Sequence, residues 1–272
     1  MLQLHPGTDL PREKEIHYFG GVEKYRKGKE WYYNHFAGLD SSKVIGEAST
    51  TYLYDNVPFW YNPSSSIEVD RSLPMIPELI TNELPNIKIL AILRDPVWRA
   101  VSAYKHNMKA GRIVPRLGLR ETAIRYPKMR ILEYGYYARY LKLWKEFVHP
   151  QRMLILIFEE DVVKSPEKAV RCAYDFLGLD TDFQPEVLHE PVHKSISWTH
   201  VAINYYAGPL IKKLTHRRPL YCVLTMFDIF LKPFLIKQKD IEFLRSTYLP
   251  EKAELETLIG RNLDCWNYGY RH

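Results

Sequence analysis

Two side chains whose types and spacing suit the holding of an anion stand at Arg94 and Ser102. Arg94 follows the β-rich run Ile87-Lys88-Ile89-Leu90-Ala91-Ile92-Leu93 and is followed by Asp95-Pro96. That pair reads as a helix start, an N-cap and then a residue whose missing N–H costs nothing at the first helical position. An arginine there sits where open α/β sheets bind ligands and where free backbone N–H groups attract anions. Ser102, two turns into the helix, offers its hydroxyl to the same anion. A plain structural role fits the same residues: Arg94 in an ion pair with Asp95 or Glu47, and Ser102 as a surface hydroxyl. Spacing alone leaves both readings open.

Positioning such residues takes strands and helices in alternation, and the sequence supplies them. Leu84-Pro85-Asn86 precedes the first run, and Met153-Leu154-Ile155-Leu156-Ile157-Phe158 reads as a second buried parallel strand. After Pro96, Val97, Val101, Tyr104 and Met108 form an apolar face at helical spacing and leave Arg99, Ser102 and His106 on another face. Ser165-Pro166 repeats the start signal before a helix through Val170, Ala173 and Phe176 that stops at Gly178. Gly135 to Val148 carries Tyr137, Leu141, Trp144 and Val148 on one stripe, which is core geometry. Pro250 to Ile259 predicts a further helix, with Leu255, Leu258 and Ile259 apolar and Gly260 at its stop. From Tyr205 to Lys237, Lys212, Lys213, His216, Arg217 and Arg218 alternate with Leu, Phe and Tyr. That stretch suits a helical subdomain, with a basic amphipathic lid or a membrane-surface patch as alternatives. No internal repeat is visible, and the alternation predicts a parallel sheet covered by helices.

At 272 residues with 46% hydrophobic content, the chain can fill a sizeable core as one α/β domain or two small ones. Its 38 Lys and Arg against 32 Asp and Glu give a net charge of +6, which favours anionic partners or is simply a solvated basic surface. The longest apolar run, Pro219 to Leu231, carries Asp228 and falls short of the ~20 apolar residues of a spanning helix, so no membrane span is expected. Met1 to Gly7 shows neither a basic n-region nor a long h-region, and no signal peptide is read there. Cys172, Cys222 and Cys265 are far apart without C-x-x-C spacing, so all three are expected to be reduced packing residues and no metal site is expected. Asn62-Pro63-Ser64 is blocked as a glycosylation acceptor by its proline. No recognition-helix, zinc-finger or aromatic RNA-platform motif occurs, so nucleic acid is not an expected partner.

The segment Ile92-Leu93-Arg94-Asp95-Pro96-Val97-Trp98-Arg99-Ala100-Val101-Ser102-Ala103-Tyr104 is similar to L-R-D-P-x-x-R-x-x-S-x-Y, the 3′-phosphate segment of the sulfotransferase superfamily. The resemblance is to the Golgi-type carbohydrate sulfotransferases and their bacterial relatives, and it covers nearly the whole length. It implies a P-loop-containing nucleotide-hydrolase-like α/β fold, a parallel sheet flanked by helices, as a single sulfotransferase domain over 1–272 with a helical lid or subdomain at 201–237. It further implies 3′-phosphoadenosine 5′-phosphosulfate (PAPS) as co-substrate, with Arg94 and Ser102 on its 3′-phosphate. Glu15-Ile16-His17-Tyr18-Phe19, followed by Trp31-Tyr32, resembles the family's E-[IV]-x-[FY]-F segment, which makes Glu15 the implied general base. A carboxylate suits that task, because an acceptor hydroxyl must lose its proton as it attacks sulfur. His17 is the rival base. Gly46-Glu47-Ala48-Ser49 resembles the N-acetylgalactosamine 4-sulfate 6-O-sulfotransferase branch, where heparan-type enzymes carry Glu-Lys-Ser/Thr. Ala48 therefore weighs against heparan-type specificity, and Glu47 and Ser49 are the implied substrate-binding residues. Lys194, in His193-Lys194-Ser195, falls where the family closes the adenosine site with a basic late loop.

The family's 5′-phosphosulfate loop, Lys-x-Gly-Thr-Thr or close to it, lies between the first strand and first helix and would precede Leu2-Gln3-Leu4-His5-Pro6. Its amides and lysine stabilise the leaving group, so the resemblance implies that the first strand and loop are missing from this stretch, which is then expected to be inactive. A truncated chain is the preferred explanation, with natural loss second. The leading reading is a sulfotransferase that moves a sulfuryl group from PAPS to a carbohydrate hydroxyl, with a sulfated glycosaminoglycan or another polysaccharide as acceptor. The alternative is a non-catalytic glycan-binding pseudoenzyme that has lost the donor loop. Acceptor position, oligomeric state and compartment stay open: cytoplasm in a bacterium, Golgi lumen in a eukaryote.

Overall fold

Two apolar runs rich in Ile and Leu become the longest strands, and the helix starts that follow them turn the chain back across the sheet. The computed structural model describes residues 2–55, 74–113, 117–185 and 236–266. Lys194, Cys222 and residues 201–235 of the lid expected over 201–237 lie outside the described residues. In chain order the elements are β1 (Thr8–Asp9), α1 (Val22–Tyr25), α2 (Lys29–Asn34), β2 (Val44–Ile45), α3 (Ile76–Glu83) and β3 (Ile89–Leu93). They continue with α4 (Pro96–Lys109), α5 (Leu119–Arg125), α6 (Tyr137–Phe147), β4 (Met153–Ile157), α7 (Pro166–Leu177) and α8 (Gln238–Ile259).

Pairing is parallel throughout the described residues. β1 lies beside β2 with Thr8 opposite Val44, and β3 lies beside β4 from Ile89 opposite Met153 to Leu93 opposite Ile157. Parallel neighbours need long crossovers, which α4 to α6 provide between β3 and β4. This is the α/β architecture expected from the alternation.

Three apolar clusters hold the helices to the strands. Val97, Val101, Tyr104 and Met108 of α4 pack with Leu119 of α5 and with Ile241, Leu244 and Tyr248 of α8. Ile16, Phe19 and Tyr32 pack against Ile76 of α3 and Trp144 of α6, and the strand ends Leu93 and Ile157 meet Leu141 of α6 and Leu255 of α8. The α6 stripe, Tyr137, Leu141 and Trp144 with Val148 after it, is buried as its spacing predicts.

Four expectations are corrected. The helix expected from Pro250 starts at Gln238 and carries Pro250 inside it. Its true start is fixed by the buried Asp240, whose carboxylate accepts from the Lys237 amide at 2.9 Å and the Arg120 amide at 3.3 Å. Ser165 does not cap α7 with its side chain; a π-helical turn, Phe158–Lys164, leads into that helix, and its buried residues are Ala169, Ala173 and Tyr174. Arg99 leaves the polar face of α4: its guanidinium donates to the Ile131 carbonyl and lies among Tyr54, Tyr137 and Tyr248. Cys172 is exposed and Cys265 half-buried, so exposure rules out a packing role for the former.

Candidate functional site

Glu15 and His17 flank Ile16, which is wholly buried and anchors the segment, while φ values of 57° and 55° turn both neighbours the other way. Left-handed backbone is uncommon for residues other than glycine and gathers at functional sites. The outcome is an exposed Glu15 and a buried His17 whose Nε2 lies 3.3 Å from Glu15 Oε2. The other ring nitrogen, Nδ1, lies 2.9 Å from Thr51 Oγ1. The His17 amide donates to Ser49 Oγ at 2.9 Å, and Ser49 Oγ donates to Glu47 Oε2 at 2.8 Å. Burial lowers the His17 pKa below its ordinary value, with the Glu15 contact pulling the other way.

Glu47 is held rather than free. Besides Ser49, the Tyr52 hydroxyl donates to its other oxygen, and Tyr32 also hydrogen-bonds it. Burial first, then the Glu47 charge, pushes both tyrosine hydroxyls up, so they stay protonated donors. Glu47 and Ser49 thus support the segment that carries Glu15 and His17.

At the β3–α4 junction the backbone differs from the sequence expectation. Asp95 Oδ1 accepts from the Val97 amide at 2.8 Å, and the Asp95 amide itself donates to Glu159 Oε1 at 3.1 Å. Those first amides of α4 are therefore already occupied, which leaves side chains as the candidate anion ligands here. Arg94 is exposed, with its guanidinium over the Phe158 ring at 5.4 Å, and Ser102 is exposed on the same helix. Among the described residues Glu47 is held by the hydroxyls of Ser49, Tyr52 and Tyr32, so Arg94 does not make the ion pair with it that a structural role allowed. Burial raises the Asp95 carboxyl to about 6, offset by the Val97 amide and reinforced by Glu159. Trp266 Nε1 donates to Glu159 Oε2 at 2.8 Å and fixes that neighbour in place.

Helix α4 joins the two halves. His106, one turn beyond Ser102, feels the charge of Glu15, while burial and then Arg112 and Lys109 lower its pKa. Sequence reading placed His106 on the Ser102 face without giving it a part; its i+4 spacing from Ser102 was the available signal. Thr51 was missed as well, although it ends the hydroxyl run Ser49-Thr50-Thr51. Among the described residues, no group of three or more His, Cys, Asp or Glu stands ready to hold a metal, and no helix is long and apolar enough to cross a membrane.

The chain is thus an α/β protein whose polar side chains gather where parallel strands hand over to helices, the place where such folds bind ligands. A family model described as the sulfotransferase domain matches residues 9–200, and the chain belongs to that family. It is 30% identical over 178 residues to the bifunctional heparan sulfate N-deacetylase/N-sulfotransferase 1 of Caenorhabditis elegans, covering 61% of this chain and 18% of that protein. Against the mouse heparan sulfate glucosamine 3-O-sulfotransferase 5 it is 24% identical, over 66% of this chain and 48% of the relative. The chain therefore spans less than half the length of these curated relatives. A sulfotransferase structure from Alicyclobacillus acidocaldarius superposes with a TM-score of 0.63 at 23% identity, covering 97% of this chain and 90% of the other, which shows the shared fold.

Proposed function

We propose that the protein transfers a sulfuryl group from PAPS to a hydroxyl of a sulfated glycosaminoglycan, with Glu15 as general base. The observation that carries this reading is the meeting at α4. A carboxylate held by a buried histidine lies within electrostatic reach of His106, and His106 stands one helical turn, about 6 Å of rise, from Ser102. The charge of the proposed proton acceptor thus reaches the helix that carries the candidate anion site. The exposed Arg94 and Ser102 fit the donor's 3′-phosphate, Arg94 as a charge-assisted donor and Ser102 as a neutral one. Lys194 would serve the adenosine side. Glu47 and Ser49 hold the acceptor side of the cleft in shape and lie next to the acceptor.

In the reaction, the acceptor oxygen forms a bond to sulfur while the bond from sulfur to the bridging phosphate oxygen breaks. The leaving group is adenosine 3′,5′-bisphosphate. Glu15 takes the hydroxyl proton as the O–S bond forms, which is the work a carboxylate within hydrogen-bond reach can do. The relatives' names carry heparan sulfate, and the net charge of +6 suits a polyanionic acceptor.

The test is transfer of labelled sulfate from PAPS to heparan sulfate and to chondroitin by the protein at its full natural length, beside calorimetry with adenosine 3′,5′-bisphosphate. Transfer to either glycan, lost in Glu15→Gln, is the expected result. Glycan and bisphosphate binding with no transfer to any glycan would replace this reading with that of a non-catalytic binding protein.

A further inference from the structure

The acid and its histidine do not stand alone, because the far side of the imidazole is built with equal care. His17 is buried, and both of its ring nitrogens have oxygen partners, Thr51 Oγ1 at 2.9 Å and Glu15 Oε2 at 3.3 Å. A carboxylate only accepts hydrogen bonds, so facing ionised Glu15 the Nε2 atom must carry the proton. Nδ1 then presents its lone pair to Thr51, and the Thr51 hydroxyl must donate. The fold makes room for that hydroxyl at a specific cost in residue choice. A Cβ at Gly20 would lie 1.9 Å from Thr51 Oγ1 and 2.7 Å from Thr51 Cβ, so only glycine lets Thr51 reach the ring.

We propose that Thr51 is a positioning residue for sulfuryl transfer: its hydroxyl clamps His17 in the Nε2–H tautomer, and His17 in turn aims the Glu15 carboxylate at the acceptor hydroxyl. This rests on the reading of Glu15 as the base. His17 keeps its proton throughout the step, while the acceptor's proton passes to the free oxygen of Glu15. The arrangement follows a general pattern in which the orientation of a functional imidazole is set by the hydrogen bond made by its other nitrogen. Burial keeps the ring neutral at working pH; the charged groups that act on it are Glu15, Lys24 and Glu47. The left-handed backbone at both Glu15 and His17 sets where the two side chains leave the main chain, and the Thr51 contact then restrains the orientation of the ring.

The experiment has one arm that needs no activity. Nitrogen-15 NMR of the histidines in the wild-type protein should show His17 with Nε2 protonated and Nδ1 as a hydrogen-bonded acceptor. In Thr51→Val the Nδ1 resonance should move towards that of an unbonded acceptor, and in Thr51→Ser it should stay. The kinetic arm predicts that Thr51→Val lowers kcat about 10–100-fold with KM for PAPS and glycan nearly unchanged, the size of effect expected from a small misplacement of a catalytic group. Thr51→Ser should recover most of the rate. A wild-type His17 protonated on Nδ1, or His17 resonances that ignore Thr51→Val, overturns the clamp. Should Thr51→Val fail to fold, the wild-type tautomer and the rate of Thr51→Ser still decide it. If the NMR result holds but no variant or wild type transfers sulfate, the clamp stands and the functional reading falls.

Discussion

As the proposed base, Glu15 has to be exposed to substrate yet held still, and its neighbours supply the hold. Left-handed backbone at a residue other than glycine costs on the order of 1 kcal/mol or more, and this segment carries it at Glu15 and again at His17. Buried Ile16 and the Ser49 contact to the His17 amide offset that cost. Glu15→Gln keeps the shape and removes the proton acceptor. It should lower kcat at least ~100-fold while the affinity for adenosine 3′,5′-bisphosphate, read by calorimetry, stays within about twofold. A mutant that keeps most of its rate would move the base elsewhere, and His17→Ala losing far more would point to where. On the donor side, the first α4 amides are taken by Asp95 and Glu159, so the anion depends on side chains. Arg94→Ala should therefore weaken bisphosphate binding about 10–100-fold, since a hydrogen bond to a charged group contributes roughly 1.5–3 kcal/mol. Ser102→Ala should weaken it less than Arg94→Ala does, because its hydroxyl is a neutral donor. Equal affinities in wild type and Arg94→Ala would sink the assignment.

Elements were legible from sequence where their causes are local. Helix α4 has its cap, its proline and its apolar stripe within its own length, and the cap bond from Val97 to Asp95 forms as read. Helix α8 hides its start because Asp240 also accepts from Arg120, 120 residues away, and because Pro250 inside it reads as a beginning. Strands β1 and β2 are two residues each and too short to make a pattern. Arg99 was misplaced because helical spacing cannot know that Tyr54, Tyr137 and Tyr248 converge on that side of α4. The same convergence sets a test of how α6 and α8 are locked. A Cβ at Gly135 would meet the Tyr248 ring at 2.5 Å, and Tyr248 cannot retreat without giving up its hydroxyl bond to Leu132, 2.8 Å long. Gly135→Ala should cost about 1–3 kcal/mol in urea denaturation, as overpacking does in a filled core. Gly46→Ala, at a glycine with open space around its Cα, should change stability much less.

Across the whole molecule, the sequence offered candidate residue types for the chemistry but not how distant segments would pair them. His17 meets Thr51 across 34 residues and Asp95 meets Glu159 across 64, and such pairings follow from packing rather than from spacing. These pairings also set how stability responds to acid. His17 titrates below its ordinary 6.5 in the folded state. As pH falls below that value the unfolded chain takes the proton first, so the stability His17 contributes is present above about 6.5 and is lost as pH falls through its folded pKa. Asp95 acts in the opposite sense. Its folded carboxyl sits at about 6 against an ordinary 3.8, so the folded state takes the proton first. A penalty present above about 6 is then relieved as pH falls from there to about 4. In the wild type the two slopes oppose one another. Asp95→Asn keeps an oxygen to cap the Val97 amide but removes the charge, so at pH 7.5 it should be as stable as wild type or more so. Between pH 6.5 and 4.5 it should lose stability more steeply, because the Asp95 gain is gone and the His17 loss remains. Urea denaturation at intervals across that range measures the two curves, and parallel curves would show that Asp95 is not the group that takes up the proton.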